Sequence, residues 1–317
     1  MKRRDFMTTA ALAGIGVAAG VRVAPVLAQD GTMGVAAAQR FSIGEAVVTA
    51  FSDGFLPIGA DALIGVTAEE FRTLLQAAYI DAEAHPTGVN AYLVETGDST
   101  VLVDAGTGAV FGPGLGHLAA NMAALGVDPG AIDTLVATHL HPDHIGGVVT
   151  EAGNPFANAT LKVSDTDLGF WTSEDVKAQA PEEVRQFFDL AMAAVAAFGD
   201  RVEGFTGAAA LGPGLSAMPL PGHTPGHSGV MLESGGDALL IWGDIVHVPP
   251  VQFARPEVTI GFDVDQDMAR ATRAKVLDMA ATDRLRVAGM HIGFPGLGHL
   301  EKAGSGYRFV PSLWQYG

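Results

Sequence analysis

Short apolar runs alternate with amphipathic stretches along the chain, and the pattern occurs in two similar sets. In the first set, β-branched runs with glycine-bearing ends predict strands over 43–51, 91–95, 100–104 and 134–138. In the second, runs at 215–220, 229–232, 238–242 and 286–290 predict strands again. Helices are expected between them. Thr67-x-x-Glu70 forms a capping box that opens a helix to about Tyr79. A second helix is expected over 115–125 and another over 265–281. Pro181 opens a further one, with Val184, Phe187, Phe188, Ala191, Met192, Val195 and Phe198 spaced by three and four. Two such sets fit two packed sheets with helices outside, an α+β class. No linker, repeat or low-complexity segment interrupts residues 29–317, which read as one domain.

Composition narrows the setting. The chain has 317 residues, 48% of them hydrophobic, so it can bury a sizeable core. Its net charge of −17 repels phosphate backbones and argues against nucleic acid or an anionic membrane as partner. It has no cysteine, which excludes disulfides, thiolate nucleophiles and cysteine metal ligands. Residues 1–28 read as an export leader: Arg3-Arg4 is followed by Asp5-Phe6, an Ala/Gly-rich run comes next, and Val26-Leu27-Ala28 is a small-residue cleavage pattern. This is a twin-arginine pattern, which predicts the twin-arginine export machinery as partner and a periplasmic or secreted protein cut near Ala28. Arg22 interrupts a weakly apolar run, so no stable membrane anchor is expected.

The chemistry starts with THLHPDHIGG, residues 138–147, which places three of the ten histidines within six positions. In an extended segment His139 and His141 point the same way and can grip one cation. Pro142 breaks the strand, Asp143 and His144 turn toward a neighbouring site, and Gly146 and Gly147 let the chain turn sharply. Imidazole and carboxylate suit zinc and similar metals. Further candidates follow apolar runs and come with glycine: His223 in LPGHTPGHSG, Asp244 in LLIWGDIVH and His291 in VAGMHIGFPG. The seven together are too many for one tetrahedral zinc. They suit two divalent metals with Asp244 bridging, zinc by default, with manganese, iron and cobalt also tolerated.

The order H-x-H-x-D-H, then H, D and H, resembles the metallo-β-lactamase superfamily over nearly all of residues 29–317. That resemblance implies an αββα sandwich of two mixed sheets with helices on the outer faces. It assigns one metal to His139, His141 and His223 and the other to Asp143, His144 and His291. Asp104, in VLVDAG, matches an aspartate that orients a ligand histidine. FGPGLGHLAANMAALG, HPDHIGGV, WGDIVHVPPVQF and FPGLGHLEKAGSGYRFVP resemble the methyl parathion hydrolase group, which implies organophosphate, lactone or aryl-ester hydrolysis and a homodimer by default. Thiolate-ligated β-lactamases need a cysteine that this chain lacks. A ribonuclease is disfavoured by the charge. A glyoxalase II-like thioesterase lacks a basic C-terminal cluster here, and a non-catalytic binding protein would not retain every ligand.

The expected reaction is hydrolysis of a small neutral lactone or aryl ester by a metal-bridging hydroxide, with phosphotriester hydrolysis as the alternative. Asp143 and Asp244 fix the geometry and shuttle the proton. His247, three residues after Asp244, is expected either to donate to the carbonyl oxygen or to pack under the site. The resemblance places Phe111, Trp171 and one of Phe187 or Phe188 in the substrate pocket, with Ile260 and Phe262 narrowing it. A narrow, flat pocket favours a planar carbonyl ester over a bulky phosphotriester. His227 is expected to support the site, His117 and His299 to lie at the surface or in packing, and His85 to be solvated before Pro86.

Overall fold

The computed structural model describes residues 35–97 and 99–313; the leader expected over 1–28 lies outside the described residues. The strands, in chain order, are β1 (Ala38–Ile43), β2 (Ala46–Gly59), β3 (Leu63–Ile64), β4 (Ala84–Thr96), β5 (Ser99–Val103), β6 (Thr134–Val136), β7 (Thr160–Ser164) and β8 (Val202–Phe205), then β9 (Ala210–Gly212), β10 (Leu215–Pro219), β11 (Ser228–Ser234), β12 (Asp237–Ile241), β13 (Thr259–Ile260), β14 (Arg286–Ala288), β15 (Leu297–Ala303) and β16 (Gly306–Pro311). The helices are α1 (Ala68–Ala77), α2 (Leu118–Ala124), α3 (Pro142–Ile145), α4 (Asp165–Trp171), α5 (Glu174–Gln179), α6 (Glu182–Ala196), α7 (Pro249–Gln252) and α8 (Gln266–Thr282).

Two mixed sheets result, one ordered β1-β2-β4-β5-β6-β7-β8 and the other β16-β15-β14-β12-β11-β10-β9, with β3 and β13 as a small separate ribbon. Strand alternation explains why both sheets are apolar on both faces. In β5, Val101 and Val103 face the second sheet while Leu102 faces the helices, and all three are fully buried. The layer between the sheets joins Val48, Val94 and Val136 to Leu232, Leu239 and Ile241. Outside the first sheet, Leu93 and Leu161 pack on Met122 of α2 and on Trp171, Phe188 and Ala191 of α4 and α6. Outside the second, Leu240 and Val287 pack on Val276, Leu277 and Ala280 of α8. This is the expected αββα sandwich. Among the described residues no helix is long and apolar enough to cross a membrane.

Departures from the expected elements have local causes. The strand expected over 43–51 is cut by a hairpin turn in which Gly44 takes φ +55°, so Ile43 pairs with Ala46. The helix expected from 115 starts at Leu118, since Gly116 has a left-handed φ of +80°. The strand expected to reach Thr138 stops at Val136, because the Thr138 N–H turns to donate to the Asp104 carboxylate. The capping box of α1 forms as read: Glu70 N–H donates to Thr67 Oγ1, and Thr67 N–H donates to Glu70 Oε2. His85 is not solvated. It lies in β4, buried, with Nδ1 2.8 Å from Thr87 Oγ1, because β4 extends well upstream of residue 91 to pair with β2.

Candidate metal centre

All the candidate ligands follow the C-terminal ends of strands at one edge of the sandwich. β5 runs into Asp104 and β6 into His139, His141 and α3, while β10 leads to His223, β12 to Asp244 and β14 to His291. β5 is parallel to β6 and β12 to β14, so each pair delivers its loops to the same end. Pro142 does more than end the extended segment. It is the first residue of α3, where its missing N–H costs nothing, and α3 carries Asp143 and His144. Gly146 and Gly147 act by close approach, since a Cβ on either would stand 2.3 or 2.0 Å from the carbonyl oxygen of Thr107 or Ala105.

Two groups converge, His139, His141, His223 and Asp244 on one side and Asp143, His144, Asp244 and His291 on the other, each with its ligand atoms within 4.8 Å of one another. Asp244 belongs to both. The hydrogen bonds fix which ring nitrogens are free. The Asp263 carboxylate lies 2.7 Å from His223 Nδ1 and the Asp104 carboxylate 2.7 Å from His144 Nδ1, while the Gly88 carbonyl lies 2.8 Å from His291 Nδ1. These oxygens only accept, so each Nδ1 carries the proton and each Nε2 presents a lone pair. Thr138 Oγ1 donates to Asp104 Oδ2 and is left to accept from His139 Nδ1 at 3.0 Å. His141 Nδ1 is 3.0 Å from His139 Nε2 and 2.9 Å from His223 Nε2, and it holds one proton at most, so in the neutral cluster at least one pair of nitrogen lone pairs stands face to face. An added proton or a metal cation between them relieves that contact. His144 Nε2 and Asp244 Oδ1 are buried without a hydrogen-bond partner, 3.2 Å apart, and are relieved in the same way. Both groups fit a divalent metal ion.

Electrostatics in the cation-free protein agree. Burial pulls His223 down, but Asp244 and Asp263 outweigh it and raise the ring to about 9. His144 and His291 also rise against burial, held up chiefly by Asp244. His139 and His141 fall well below the ordinary histidine value, through burial and the neighbouring imidazoles. A proton sits where a cation belongs.

A surrounding layer holds the ligands. His227 Nδ1 donates to the Leu220 carbonyl and its Nε2 accepts from the Asp244 N–H at 2.9 Å. Two aspartates in this layer went unread in the sequence. Asp167 accepts from Leu140 N–H and Gly226 N–H and so ties the loop of His139 and His141 to the loop of His223. Asp263 anchors His223 and lies 3.7 Å from the guanidinium of Arg273, itself buried and donating to the carbonyls of Ile245, Pro256 and Val258. The only sequence signal of Asp263 is an acid inside an apolar stretch, IGFDV, and Asp167, in VSDTDLGF, has none. His247 lies against the centre, with Nε2 3.1 Å from Asp244 Oδ2 and its ring stacked on His291. Its Nδ1 is buried without a partner, so its proton belongs on Nε2 and is given to Asp244. Burial lowers its pKa to about 4. In this geometry the neutral ring donates to Asp244 Oδ2, and it also borders the opening over the centre.

The centre opens into a cavity of about 160 Å³, lined by Leu56, Ile58, Phe111, Phe187 and Phe262 over the candidate ligands. A second cavity of about 420 Å³ adjoins it, sharing His141, Phe187 and Phe262 and walled by Trp171 and Phe188. Trp171 sets its edge against His141 at 4.9 Å, and Phe188 belongs mainly to the core. Ile260 does not narrow either cavity. It is fully buried in a cluster with Leu63 and Val258, because β13 pairs with β3 and turns it inward. His117 is exposed and His299 half-buried, both away from the centre.

The sequence profile of the metallo-beta-lactamase superfamily matches residues 85–291, which hold every candidate ligand. The chain belongs to this superfamily. Both groups of candidate metal ligands are assembled in it. It is similar to AbOPH, a solved hydrolase of the beta-lactamase superfamily, at 30% identity and a TM-score of 0.84, over 89% of this chain and 100% of that one. It shares its fold with AidC, a dizinc quorum-quenching lactonase solved with the product N-hexanoyl-L-homoserine, at 24% identity and a TM-score of 0.82, again over 89% and 100%. It is 28% identical over 163 residues to the beta-lactamase-like protein 2 homolog of Drosophila melanogaster, which is 50% of this chain, and it spans about half the length of that curated relative.

Proposed function

We propose that the superfamily member described here hydrolyses neutral lactones or aryl esters at a centre of two divalent metal ions, zinc by default. The observation that carries this reading is the lining of the 160 Å³ cavity: apolar side chains over five of the candidate metal ligands, with no lysine or arginine among them. Such a pocket suits a small, flat, uncharged substrate and gives an anionic glutathione thioester nothing to pair with. The likeness to a lactonase that binds an acyl-homoserine product supports the same class. His139, His141 and His223 would hold one ion and Asp143, His144 and His291 the other, with Asp244 shared.

When bound, the ions supply Lewis acidity and lower the pKa of water toward neutrality. The chain does the rest. His227 and His247 fix Asp244, and Asp104 and Asp263 fix the imidazoles. Asp143, with 17% of its side chain exposed against 2% for Asp244, is the carboxylate placed to carry a proton between attacking water and leaving oxygen. Phe111, Phe187 and Phe262 exclude bulk water. Export of the protein is proposed on its leader sequence alone.

The test compares kcat/KM of the metal-loaded protein for dihydrocoumarin, a long-chain acyl homoserine lactone and methyl parathion, with Asp244→Asn as blank. A lactone is expected to lead by about a hundredfold. A lead for the phosphotriester refutes the substrate class and leaves the metal centre standing.

A further inference from the structure

The segment 105–118 joins β5 to α2 and carries Phe111 to the wall of the 160 Å³ cavity. Its other side faces away from the centre. Gly112, Pro113 and Leu115 line a separate, largely apolar cavity of about 460 Å³, together with Met122 and Phe156. A loop with a cavity behind it gains little from packing there, and its position must be set by something else. Asp53 is that something. It is fully buried on β2, and its carboxylate accepts from both ends of the segment: Thr107 N–H at 2.9 Å and the Thr107 hydroxyl at the entry, Gly116 N–H at 3.1 Å and Leu118 N–H at 2.8 Å at the exit. The Asp53 carbonyl accepts the His117 N–H as well. The strap pinches the base so tightly that a Cβ on Gly116 would stand 2.2 Å from the Gly108 carbonyl oxygen. The same base rests on the ligand segment, where Gly147 N–H donates to the Gly106 carbonyl and Ala105 N–H to the His144 carbonyl.

From this arrangement we infer that Asp53 is a specificity-determining positioning residue: it fixes how far Phe111 closes over the metal centre, and so selects esters with a flat aryl or lactone ring for that wall. This rests on the ester-hydrolase reading of the centre. Asp53 touches no ligand and no reacting atom. It acts through the loop, and its effect falls on substrate fit.

The experiment is a kinetic cycle on dihydrocoumarin with the metal-loaded wild type, Asp53→Asn, Phe111→Ala and the double variant, with metal content and thermal unfolding recorded for each. Asp53→Asn places an amide donor among donors and frees the loop. KM is expected to rise about tenfold with kcat within about threefold and metal content unchanged. In the Phe111→Ala background the same change is expected to alter KM less than about twofold, since the side chain being positioned is gone. Thr107→Val removes one of the four donors and runs the same cycle at about threefold, which decides the matter if Asp53→Asn does not fold. A loss on kcat instead of KM, or a KM effect as large without Phe111 as with it, overturns the inference. A wild type inert toward every ester overturns the hydrolase reading with it, whereas an active wild type with an additive cycle overturns this inference alone.

Discussion

Asp104→Asn tests whether hydrogen bonds behind the ligands set metal affinity. Asp104 is buried and has a left-handed φ of +61°, a conformation that asparagine tolerates, so the change adds little backbone strain. The carboxylate accepts from His144 Nδ1 at 2.7 Å, Thr138 Oγ1 at 2.9 Å and Thr138 N–H at 2.8 Å. Asparagine keeps one oxygen and puts an NH2 group where the other stood. If the oxygen stays on the Thr138 N–H, the NH2 faces His144 Nδ1–H and the Thr138 hydroxyl, donor against donor. His144 then moves its proton to Nε2, the nitrogen that would ligate. A charge-assisted hydrogen bond of this kind is worth about 1.5–3 kcal/mol, which corresponds to a 10- to 100-fold loss of affinity, of about the size seen for outer ligand partners. The effect should be uneven. The ion on His144 and His291 loses its ligand directly, and the ion on His139 only through the Thr138 hydroxyl that supports His139 Nδ1. Thr138→Val should therefore weaken mainly the His139 ion. Competition with a chromogenic chelator, resolving two dissociation constants, reads both. Unchanged constants in Asp104→Asn, or an equal fall in both, would refute the reasoning.

Arg273→Met leaves the Asp263 carboxylate and three carbonyls without their buried partner and should cost about 3–5 kcal/mol in urea unfolding, with Arg273→Lys recovering only part because it lacks the planar fork. His227 is held neutral to about 3, by burial first and then by His223, so the unfolded chain takes up its proton earlier as pH falls below about 6.5. Its contribution to stability is lost at about 1.4 kcal/mol per pH unit down to about 3, and His227→Gln should flatten the slope of stability against pH by that amount. Phe187 and Phe262 line both the 160 and the 420 Å³ cavities, and alanine at either should join them; the ratio of kcat/KM for a dodecanoyl over a hexanoyl lactone should rise at least about threefold.

How much of this was legible follows from what each residue needs around it. A metal ligand must be histidine or carboxylate and must sit where a strand ends, so His139, His223, Asp244 and His291 announce themselves as polar residues closing apolar runs. The αββα layering is legible for the same reason, because β5 ends in an unbroken apolar run, Val101-Leu102-Val103, that is buried on both faces. Partners brought together only by folding leave no such mark. Asp263 meets His223 across forty residues, and Asp53 meets Thr107 across fifty-four. Proximity in sequence misleads in turn: Ile260 lies two residues from the pocket-lining Phe262, yet strand alternation and pairing with β3 turn it into the core. The tautomer of His247 is legible only from its contacts, since it is set by Asp244 beside Nε2 and by the lack of a partner at Nδ1.

The interior charge balance carries the last prediction. Asp53 and Asp167 are satisfied by N–H and hydroxyl donors, but Asp104, Asp244 and Asp263 are buried around the histidines, with Asp143 beside them, and Arg273 is the one buried lysine or arginine among the described residues. The deficit of positive charge must be met by protons or by cations. Without cations, it raises the proton affinity of His144, His223 and His291. His223 is raised in the folded chain, so its contribution is fully present below about 6.5 and is lost as pH rises through about 9. Divalent ions supply the charge without those protons, and their binding free energy becomes folding free energy. The chelated protein should therefore lose thermal stability between pH 7 and pH 10, while the loaded protein holds it over the same range. Scanning calorimetry of both forms at each pH gives the answer. Parallel curves for the two would mean that the charge deficit is met elsewhere and that the cluster does not fold around its ions.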